Sequence, residues 1–598
     1  DRKNSTFTIY KHDESNPESI GSNILFSLYE DKTGILWIGT EGAGVNKLNR
    51  MRSNFVIYKN IPFNKESLSN DKVYSIIEDK SGVIWIGTFG GGLNKFNPDS
   101  KDKKFIRYNF NPYNKNSLID DRIRTMCEDN EGNIWIGTEY GLSKFNPYKN
   151  IFTNFISDGS SGKLSNNIIF SVYQIKSGEI LIGTFGGGLN IYDKKTNSFI
   201  SFKHNPNDSK SISSNNIWCI FQDSKGNIWI GTDDGGLNKF DIKRKEFIYF
   251  KYNPKDPSSI SSDKILNIME DTKGNLWIGT IQGLNKMIIE NNDYNNPKFI
   301  NYTIEDGLPD NNIQAILEDD HGNLWISTNK GISKFNPEKK SFQNFDFSDG
   351  LQSNEFYVRA AVKRKRTGEM IFGGNKGFNI FHPDSIKEDN YIPDVMITDF
   401  LINNMPVKIG EKINNEIILK KNITETKEIV ISYKTNFITF NFAALHFAKP
   451  EKNSYAYMLQ GFESNWNYVG NKHYASYNFL PPGKYIFRVK AANPNGYWNE
   501  KGTSIILTIT PPFYQTFVFR FFMLILIGLF IYGAYNLKVS GIKKHQKELE
   551  QLIQEKTELN EKLIQEIEER KKIEKELIIA KEKAESSEKL KSEFLAQM

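Results

Sequence analysis

The sequence has little cysteine and little net charge. Its 598 residues include only two cysteines, Cys127 and Cys219, so a disulfide framework is excluded and we expect no bridge between these two. The 77 basic and 71 acidic residues leave a formal charge of +6, which is small for a chain of this length. A nucleic acid partner is therefore not expected.

Recognisable catalytic and metal motifs are also missing. None of the seven histidines lies in H-E-x-x-H or a comparable metal-ligand spacing. The glycine runs Phe89–Gly92 and Phe185–Gly188 lack the Lys-Ser/Thr pair of a phosphate loop, and acidic turns such as Asp79–Gly82 have too few oxygen ligands for calcium. We interpret all of them as turns between strands, and we predict no catalytic residue, no metal site and no cofactor in this chain.

A repeated tetrad is the strongest positive signal. W-I-G-T begins at Trp37, Trp85, Trp135, Trp229 and Trp277, with variants at Leu181, Trp325 and Ile371. The spacing is 46 to 50 residues, and each copy has the pattern of four short strands with turns between them. Such a unit cannot bury both faces alone, whereas radially arranged units cover one another. This favours a β-propeller over a stacked solenoid.

The blade count depends on which N-terminal strand completes the Ile371 copy, because that copy has no fourth strand after Phe381. If Phe55–Tyr58 completes it, residues 51–385 form seven blades, and residues 1–50 are the tail of an earlier propeller. If Phe7–Tyr10 completes it, there are eight. We favour seven. The chain also opens on a polar stretch without Met, so we expect it to begin partway through a longer protein.

The recurring stretch I-x-E-D-x-x-G-x-I-W-I-G-T-x-x-G-G-L-N-K-F-N-P resembles the two-component regulator propeller repeat of hybrid sensor kinases. Residues 390–511 read as alternating strands, for which a sandwich of about seven strands would fit. Their segments Tyr455–Phe462 and Leu480–Ala491, with Trp466, resemble the Y_Y_Y domain, a fibronectin-III-like module.

An apolar segment follows at 515–537. The window Phe517–Tyr535 has Arg520 as its only charge, and four lysines follow it: Lys538, Lys543, Lys544 and Lys547. At ~1.5 Å per residue it nearly spans a ~30 Å hydrocarbon core, so we predict one transmembrane helix rather than a buried core helix. The basic flank predicts a cytoplasmic C-terminus, with the propeller and the Y_Y_Y domain outside the inner (plasma) membrane.

Residues 538–585 have a helix-forming composition. An a/d heptad pattern is interrupted by Glu566 and Arg570 and carries these apolar residues: Leu549, Leu552, Leu559, Leu563, Ile573 and Leu577. It predicts a homodimeric coiled coil, with a solvated single helix as the alternative. Residues 586–598 resemble the start of a histidine kinase dimerisation domain. The resemblance places the phosphoacceptor His just beyond Met598 and implies ATP and Mg²⁺ in a separate kinase domain.

The residue after each tetrad is our candidate for ligand binding, because equivalent positions in all blades would form a ring. These residues are Glu41, Phe89, Glu139, Phe185, Asp233, Ile281 and Asn329. Their acids and aromatics would suit a sugar chain, or they could merely line a wet channel. The resemblance implies an oligosaccharide ligand, a response regulator or receiver domain, contact with membrane lipid, and control of glycan utilisation genes. A polysaccharide lyase or hydrolase, or a passive carbohydrate-binding surface protein, is the alternative.

Overall fold

The computed structural model describes residues 7, 9–14, 19–49, 55–386, 389–413 and 416–595, with side chains described as far as residue 586. Within these residues it contains seven four-stranded antiparallel sheets in a ring, a separate three-stranded sheet, a two-sheet sandwich and one long helix. The fold class is therefore mainly β, as the sequence predicts.

The seven sheets are the blades of a propeller, and each blade runs from its inner to its outer strand. The strands of blades 1 to 3 are Val73–Glu78, Ile84–Thr88, Gly92–Phe96 and Phe105–Tyr108; Ile123–Glu128, Ile134–Thr138, Leu142–Asn146 and Ile151–Phe155; and Ile169–Gln174, Ile180–Thr184, Leu189–Asp193 and Ser198–Phe202. Those of blades 4 and 5 are Ile217–Gln222, Ile228–Thr232, Leu237–Asp241 and Glu246–Phe250; and Ile265–Glu270, Leu276–Thr280, Gly283–Ile288 and Lys298–Tyr302. Blades 6 and 7 comprise Ile313–Glu318, Leu324–Thr328, Gly331–Asn336 and Ser341–Phe345; and Phe356–Lys363, Met370–Gly374, Gly377–Phe381 and Val56–Tyr58.

The ring is closed by a strand from the N-terminal side of the repeats. Val56–Tyr58 is the outer strand of blade 7, where Tyr58 pairs with Phe378 and Val56 with Ile380. The inner strands neighbour one another in chain order, and the inner strand of blade 7 contacts that of blade 1. This confirms seven blades and excludes eight. Residues 7, 9 and 10 lie outside any strand, and Thr8 is outside the described residues.

The tetrad joins neighbouring blades. Trp85 of blade 1 is 1% exposed and packs edge-on against Phe145 of blade 2, with ring centroids 5.7 Å apart. Gly87 lies on the same side, where an added Cβ would come within 2.4 Å of Ile123 of blade 2. The absence of a side chain at Gly87 thus permits the close approach of two blades.

Residues 19–49 form a separate sheet outside the ring, with strands Leu25–Glu30, Ile35–Thr40 and Gly44–Asn49. It carries the same tetrad and contacts the sandwich. Trp37 packs edge-on against Phe447 at 5.9 Å, and Lys47 Nζ donates to the Ala448 carbonyl at 3.3 Å. This sheet is therefore not one of the seven blades.

Residues 395–510 form the sandwich, which has nine strands rather than the seven expected. One sheet contains Met405–Pro406, Val395–Ile402, Phe437–Ala444 and Tyr474–Asn478, and the other Glu428–Ser432, Thr503–Thr510, Gly483–Ala492, Ser454–Gln460 and Asn467–Gly470. A small hairpin, Lys412–Ile413 with Glu416–Ile417, lies beside them, and short 3₁₀ turns occur at Phe347–Asp349, Pro383–Ser385, Ile423–Glu425, Pro450–Lys452 and Phe513–Gln515. The inner faces of both sheets share one core, in which Phe440 and Phe487 stack at 4.2 Å.

A single helix, Phe517–Leu595, follows the sandwich directly. Its 79 residues extend about 120 Å at ~1.5 Å per residue. Among the described residues it is the one helix long and apolar enough to cross a membrane. The segments predicted as 515–537 and 538–585 are thus one continuous element. The predicted start of a dimerisation domain at 586–598 is helical to Leu595, and its last three residues lie outside the described chain.

Candidate functional site

In blades 1 to 6, two equivalent positions lie at the mouth of the central channel. The second residue of an inner strand lies beside the residue 15 positions later, directly after the tetrad. In blades 1 and 3 both members are aromatic, with Tyr74 against Phe89 at 5.1 Å and Phe170 against Phe185 at 5.2 Å between ring centroids. The predicted ring of residues after the tetrad therefore has an inner partner in each of these blades.

Blades 2, 4 and 6 match polar groups at the same two positions. Arg124 Nε donates to Glu139 Oε1 at 2.5 Å in blade 2, and the indole Nε1 of Trp218 donates to Asp233 at 2.7 Å in blade 4. In blade 6, Gln314 Nε2 donates to Asn329 Oδ1 at 2.8 Å. In blade 5 the two positions are apolar, with Leu266 buried and Ile281 half-buried. The chemistry changes from blade to blade while the spacing is constant.

Arg124 joins blades 1, 2 and 3 at the channel mouth. Its guanidinium lies 5.1 Å from the Tyr74 ring centroid, 5.0 Å from that of Phe89 and 4.8 Å from that of Phe170. Cation–π contacts of this kind hold a planar cation against aromatic faces. Together with the carboxylate of Glu139, they fix the orientation of three aromatic rings before any ligand arrives.

Asp233 is held as an anion in blade 4, whose Trp218 packs against Phe170 of blade 3 with ring centroids 4.8 Å apart. Lys264 Nζ lies 2.7 Å from its carboxylate and also sits 5.0 Å over the Trp218 ring. Burial acts to raise the pKa of Asp233, but the hydrogen bonds from Lys264 and Trp218 outweigh it and lower that pKa. Asp233 therefore orients the indole as an ionised acceptor.

The inner strand of blade 7 bulges across the channel. Its register with the next strand shifts between Phe356 and Ala361, so the intervening residues are released from the blade. Tyr357 stacks on Tyr74 of blade 1 at 4.0 Å, and burial together with that ring raises the pKa of Tyr357 to about 12. Arg359 has a positive φ of 57°, which is strained for a residue with a side chain.

The bulge, the inner-strand residues and the rim enclose a channel-mouth cavity of about 290 Å³. It is lined by Tyr74, Arg124, Phe170, Trp218, Gln314, Asn329, Glu355, Phe356, Tyr357, Val358 and Arg359. Broad aromatic surfaces alternate with amide, guanidinium and carboxylate groups. This combination suits a compact ligand with both apolar faces and hydrogen-bonding groups.

The seven residues predicted from the sequence have different positions relative to this cavity. Asn329 lines it directly, whereas Phe89, Glu139, Phe185 and Asp233 contact and orient the side chains that do. Ile281 belongs to the apolar blade 5, and Glu41 is exposed in the separate three-stranded sheet, outside the ring. The inner-strand partners were missed, although matched chemistry at a constant spacing of 15 residues is a signal that could have identified them.

A second charged cluster joins the propeller to the sandwich. Asp349, in the loop before the inner strand of blade 7, has a fully buried side chain that accepts hydrogen bonds from Lys449 and Lys452. Lys452 also contacts Asp346 at 2.7 Å. Burial and the neighbouring Lys452 lower the pKa of Lys449 to about 8. We call these four residues the ionic junction.

Family models match both the propeller and the sandwich. The two component regulator propeller family matches residues 19–42, 67–90, 117–140, 211–234, 259–282 and 307–330, and the Y_Y_Y domain family matches residues 446–510. Each propeller match ends just after a tetrad. The matched segments include blades 1, 2, 4, 5 and 6 and the separate N-terminal sheet.

Two relatives extend these matches. Histidine kinase P4 of Formosa agariphila is 34% identical over 215 residues, which cover 36% of this chain and 15% of that protein. The crystal structure of the extracellular domain described as that of the hybrid two component system BT3049 from B. thetaiotaomicron is 28% identical with a TM-score of 0.65. That match covers 84% of this chain and 64% of the other, so this chain spans less than two thirds of either relative. The chain thus contains two component regulator propeller repeats and a Y_Y_Y domain, and its structure is similar to that of the extracellular domain of a hybrid two component system.

Proposed function

We propose that this chain is the extracytoplasmic sensor and transmembrane signalling part of a histidine kinase in a two-component phosphorelay, and that its channel-mouth cavity binds an oligosaccharide. The observation that supports this ligand most directly is the arrangement of Tyr74, Phe170, Trp218 and Tyr357 around one cavity. The aliphatic face of a sugar packs on aromatic rings, while its hydroxyls require donors and acceptors nearby.

The polar groups of the cavity fit this proposal. Gln314 and Asn329 present amides, and Glu355 presents an exposed carboxylate that accepts a hydrogen bond from Asn375 at 2.6 Å. Arg124 already forms an ion pair with Glu139, so its side chain is held in place at the cavity wall. It therefore loses little further conformational freedom when a ligand binds. A preorganised site of this kind loses less conformational entropy on binding.

One continuous segment connects the cavity to the ionic junction. Residues 346–359 begin with Asp346 and Asp349, which contact the sandwich, and end with Tyr357 and Arg359, which line the cavity. A ligand that shifts the bulge would therefore also disturb the contacts that Asp346 and Asp349 make with Lys449 and Lys452. To switch the protein, it must bind the two arrangements of this segment with different affinity.

The path continues from the sandwich into the helix. The last strand, Thr503–Thr510, pairs with neighbours on both sides and leads through Phe513–Gln515 into the helix at Phe517. Leu549, Leu559 and Leu577 on that helix are more than half exposed in the single chain. A second copy would cover this stripe, so we propose a parallel homodimer in which the continuous helix transmits the change.

The remaining parts of the proposal concern the membrane and the output of the signal. We place the propeller and sandwich outside the inner membrane and the C-terminal part of the helix in the cytoplasm, in contact with lipid near the apolar segment. A kinase domain that binds ATP and Mg²⁺ would follow, and a response regulator or receiver domain would accept the phosphoryl group. The output would control glycan utilisation genes.

A lyase or hydrolase has less support from the cavity. Such an enzyme needs a pair of carboxyl groups or a Tyr/His constellation at one place. Among the described residues that line the cavity, Glu355 is the one carboxylate and there is no histidine. Glu139 and Asp233 lie behind the lining, where they orient Arg124 and Trp218.

The proposal is tested by measuring sugar binding to the full chain in lipid nanodiscs. We expect an oligosaccharide panel to contain members that raise the unfolding temperature, and Trp218→Ala to weaken their binding about tenfold or more. Tyr113→Ala is the matched control, because Tyr113 is 97% exposed and does not line the cavity. If no oligosaccharide binds, or if Trp218→Ala binds as tightly as the original chain while remaining folded, the cavity is not the sugar site.

A further inference from the structure

Arg359 lies at the cavity wall with an unusual set of partners. Its Nη1 donates to Ser171 Oγ at 3.0 Å and its Nη2 donates to the backbone carbonyl of Phe170, both on the inner strand of blade 3. Both partners are neutral. Among the residues that the structure describes, no carboxylate lies within ion-pair distance of this guanidinium.

This lack of a counterion sets Arg359 apart from the other cations of the channel mouth. Arg124 is paired with Glu139, and Lys264 is paired with Asp233. An arginine guanidinium stays charged in proteins, and burial of a charge without a partner is unfavourable. The positive charge of Arg359 is therefore available to a ligand.

The guanidinium also has an unused donor. Arg359 Nε is buried and has no hydrogen-bond partner, although buried N–H groups are normally satisfied. Arginine carries five N–H donors in a planar fork, and two are used by Phe170 and Ser171. The fork geometry matches two oxygens of one oxyanion. The strained φ of 57° at Arg359 indicates that the surrounding fold holds this residue in place despite the cost.

From these observations we infer that Arg359 is an anion-recognition residue, and that the channel-mouth cavity takes a saccharide bearing a carboxylate or sulfate group. This inference rests on the proposed function for the presence of a sugar and adds the charge class of the ligand. The oxyanion binds the free edge of the Arg359 guanidinium, while Trp218 and Tyr357 pack on the ring. Glu355, which is exposed at the rim, stays hydrated and accepts hydrogen bonds from hydroxyls.

The test compares matched ligands on the full chain in nanodiscs. We would measure binding of uronate-containing oligosaccharides, the same molecules after reduction of their carboxylates to alcohols, and sulfated neutral oligosaccharides. At least one acidic set should bind about tenfold or more tightly than the reduced set, because a hydrogen bond to a charged group is lost on reduction. The uronate and sulfate arms show which oxyanion the site prefers.

Substitutions of Arg359 then test whether this residue causes the preference for acidic over reduced sugars. Arg359→Met should remove that preference and Arg359→Lys should retain part of it, provided that both variants keep the unfolding temperature of the original chain. The comparison of acidic and reduced sugars on the unaltered chain needs no variant, so it tests the charge class of the ligand even if Arg359→Met fails to fold, and Arg359→Lys then tests the residue.

The possible outcomes separate the two proposals. If reduced and acidic sugars bind equally, or if Arg359→Met keeps the full preference, the assignment of Arg359 is overturned while the sugar site stands. If no sugar binds at all, the proposed function fails as well. If Trp218→Ala abolishes binding of reduced and acidic sugars alike and Arg359→Met affects only the acidic ones, both proposals are supported.

Discussion

A single buried arginine reinforces the closure of the propeller ring. The side chain of Arg364, just after the inner strand of blade 7, is 1% exposed. It contacts Glu369 at 2.5 Å within its own blade, and Asp99 at 2.8 Å and Glu78 at 3.4 Å in blade 1. Burial acts to lower the pKa of Arg364, but the hydrogen bonds that it donates to Asp99 and Glu369 raise that pKa. This cluster therefore adds a side-chain link to the backbone pairing of the two blades.

Arg364→Met should destabilise the propeller by about 1–3 kcal/mol, because the buried Glu78 loses its cation and the partly exposed Asp99 and Glu369 lose charged hydrogen-bond donors. The nearby Arg366→Met is the control: Arg366 also contacts Asp99 but is 67% exposed, so its loss should cost less than about 1 kcal/mol. Urea unfolding of the full chain measures both. Equal effects of the two substitutions would show that burial of Arg364 confers no special stability.

The two cysteines show how burial controls reactivity. Both are free thiols, as expected from their positions in the sequence, and burial raises the pKa of Cys127 and of Cys219 to about 11. Only the thiolate reacts with alkylating agents, and at pH 8 about one thiol in a thousand is then ionised.

We expect iodoacetamide to label neither cysteine in the folded chain at pH 8 and to label both in urea. The labelling rate should rise about tenfold per pH unit up to the pKa near 11. Because the folded pKa values are raised above the unfolded ones, the thiols' contribution to stability is complete below about pH 9 and is lost as pH rises through 11. Mass spectrometry of labelled peptides reports the result, and equal labelling of the folded and unfolded chain at pH 8 would contradict it.

At the scale of the blade, one hydrogen bond accompanies the tryptophan of the tetrad. The indole Nε1 donates to an aspartate six residues earlier, as from Trp229 to Asp223 at 3.0 Å. Blades 1, 2, 5 and 6 have the same bond. Blade 3 replaces both partners, with Leu181 and the buried Ile175 at these positions. A buried donor and acceptor have been exchanged together for two apolar side chains.

The replacement in blade 3 predicts that the two positions are coupled in the other blades. In blade 4, Trp229→Leu and Asp223→Ile should each cost about 2–4 kcal/mol, because each removes packing or leaves a polar group without its partner. The double variant should cost about 1 kcal/mol less than the sum. A cycle of chemical denaturation measurements gives the coupling energy. The control combines Trp229→Leu with Asp319→Ile in blade 6, where the two changes in the free energy of unfolding should add. If the changes at Trp229 and Asp223 also add, the two positions are not coupled.

The sequence predicted the blades but not the cavity, because the repeat reports how the blades pack and not what they bind. The repeat is a packing signal, so the tetrad predicted blades that cover one another, and the strand Phe55–Tyr58 predicted the closure. The cavity is lined by positions whose place in the repeat is constant but whose residue type changes from blade to blade, such as Arg124 and Trp218, so identity at a single position does not mark them.

Two further features depend on three-dimensional context. The bulge at Arg359 requires a positive φ without a glycine to signal it, and the surrounding inner strands impose it. The sandwich gained strands beyond the expected seven because short edge pairs, such as Met405–Pro406, are set by tertiary packing rather than by a hydrophobic run.

At the scale of the whole molecule, the ionic junction links the propeller to the sandwich, and the continuous helix extends from the sandwich. The loop that carries Asp349 belongs to the propeller, and Lys449 and Lys452 belong to the sandwich, whose last strand enters the helix. A contact of this kind, made by a buried carboxylate, keeps two domains in a defined relative position. Its loss should separate ligand binding from signalling.

We predict that Asp349→Asn loosens the sandwich relative to the propeller while leaving the cavity intact. The substitution keeps the shape of the side chain and removes its charge, so Lys449 and Lys452 lose a buried anionic partner. Spin labels introduced by Tyr148→Cys on the propeller and Phe479→Cys on the sandwich report the separation, since both positions are more than 70% exposed and the raised pKa of each native thiol slows its labelling.

In nanodiscs the distance distribution between these labels should be narrow for the original chain and clearly broader for Asp349→Asn, with sugar binding to the cavity unchanged. Asp208→Asn is the control, because this exposed carboxylate lies in the loop between blades 3 and 4 and contacts only its own turn. An unchanged distribution in Asp349→Asn would mean that the domains are held together without the charge of the junction, and the route from cavity to helix would then have to pass through other contacts, such as that of Trp37 with Phe447.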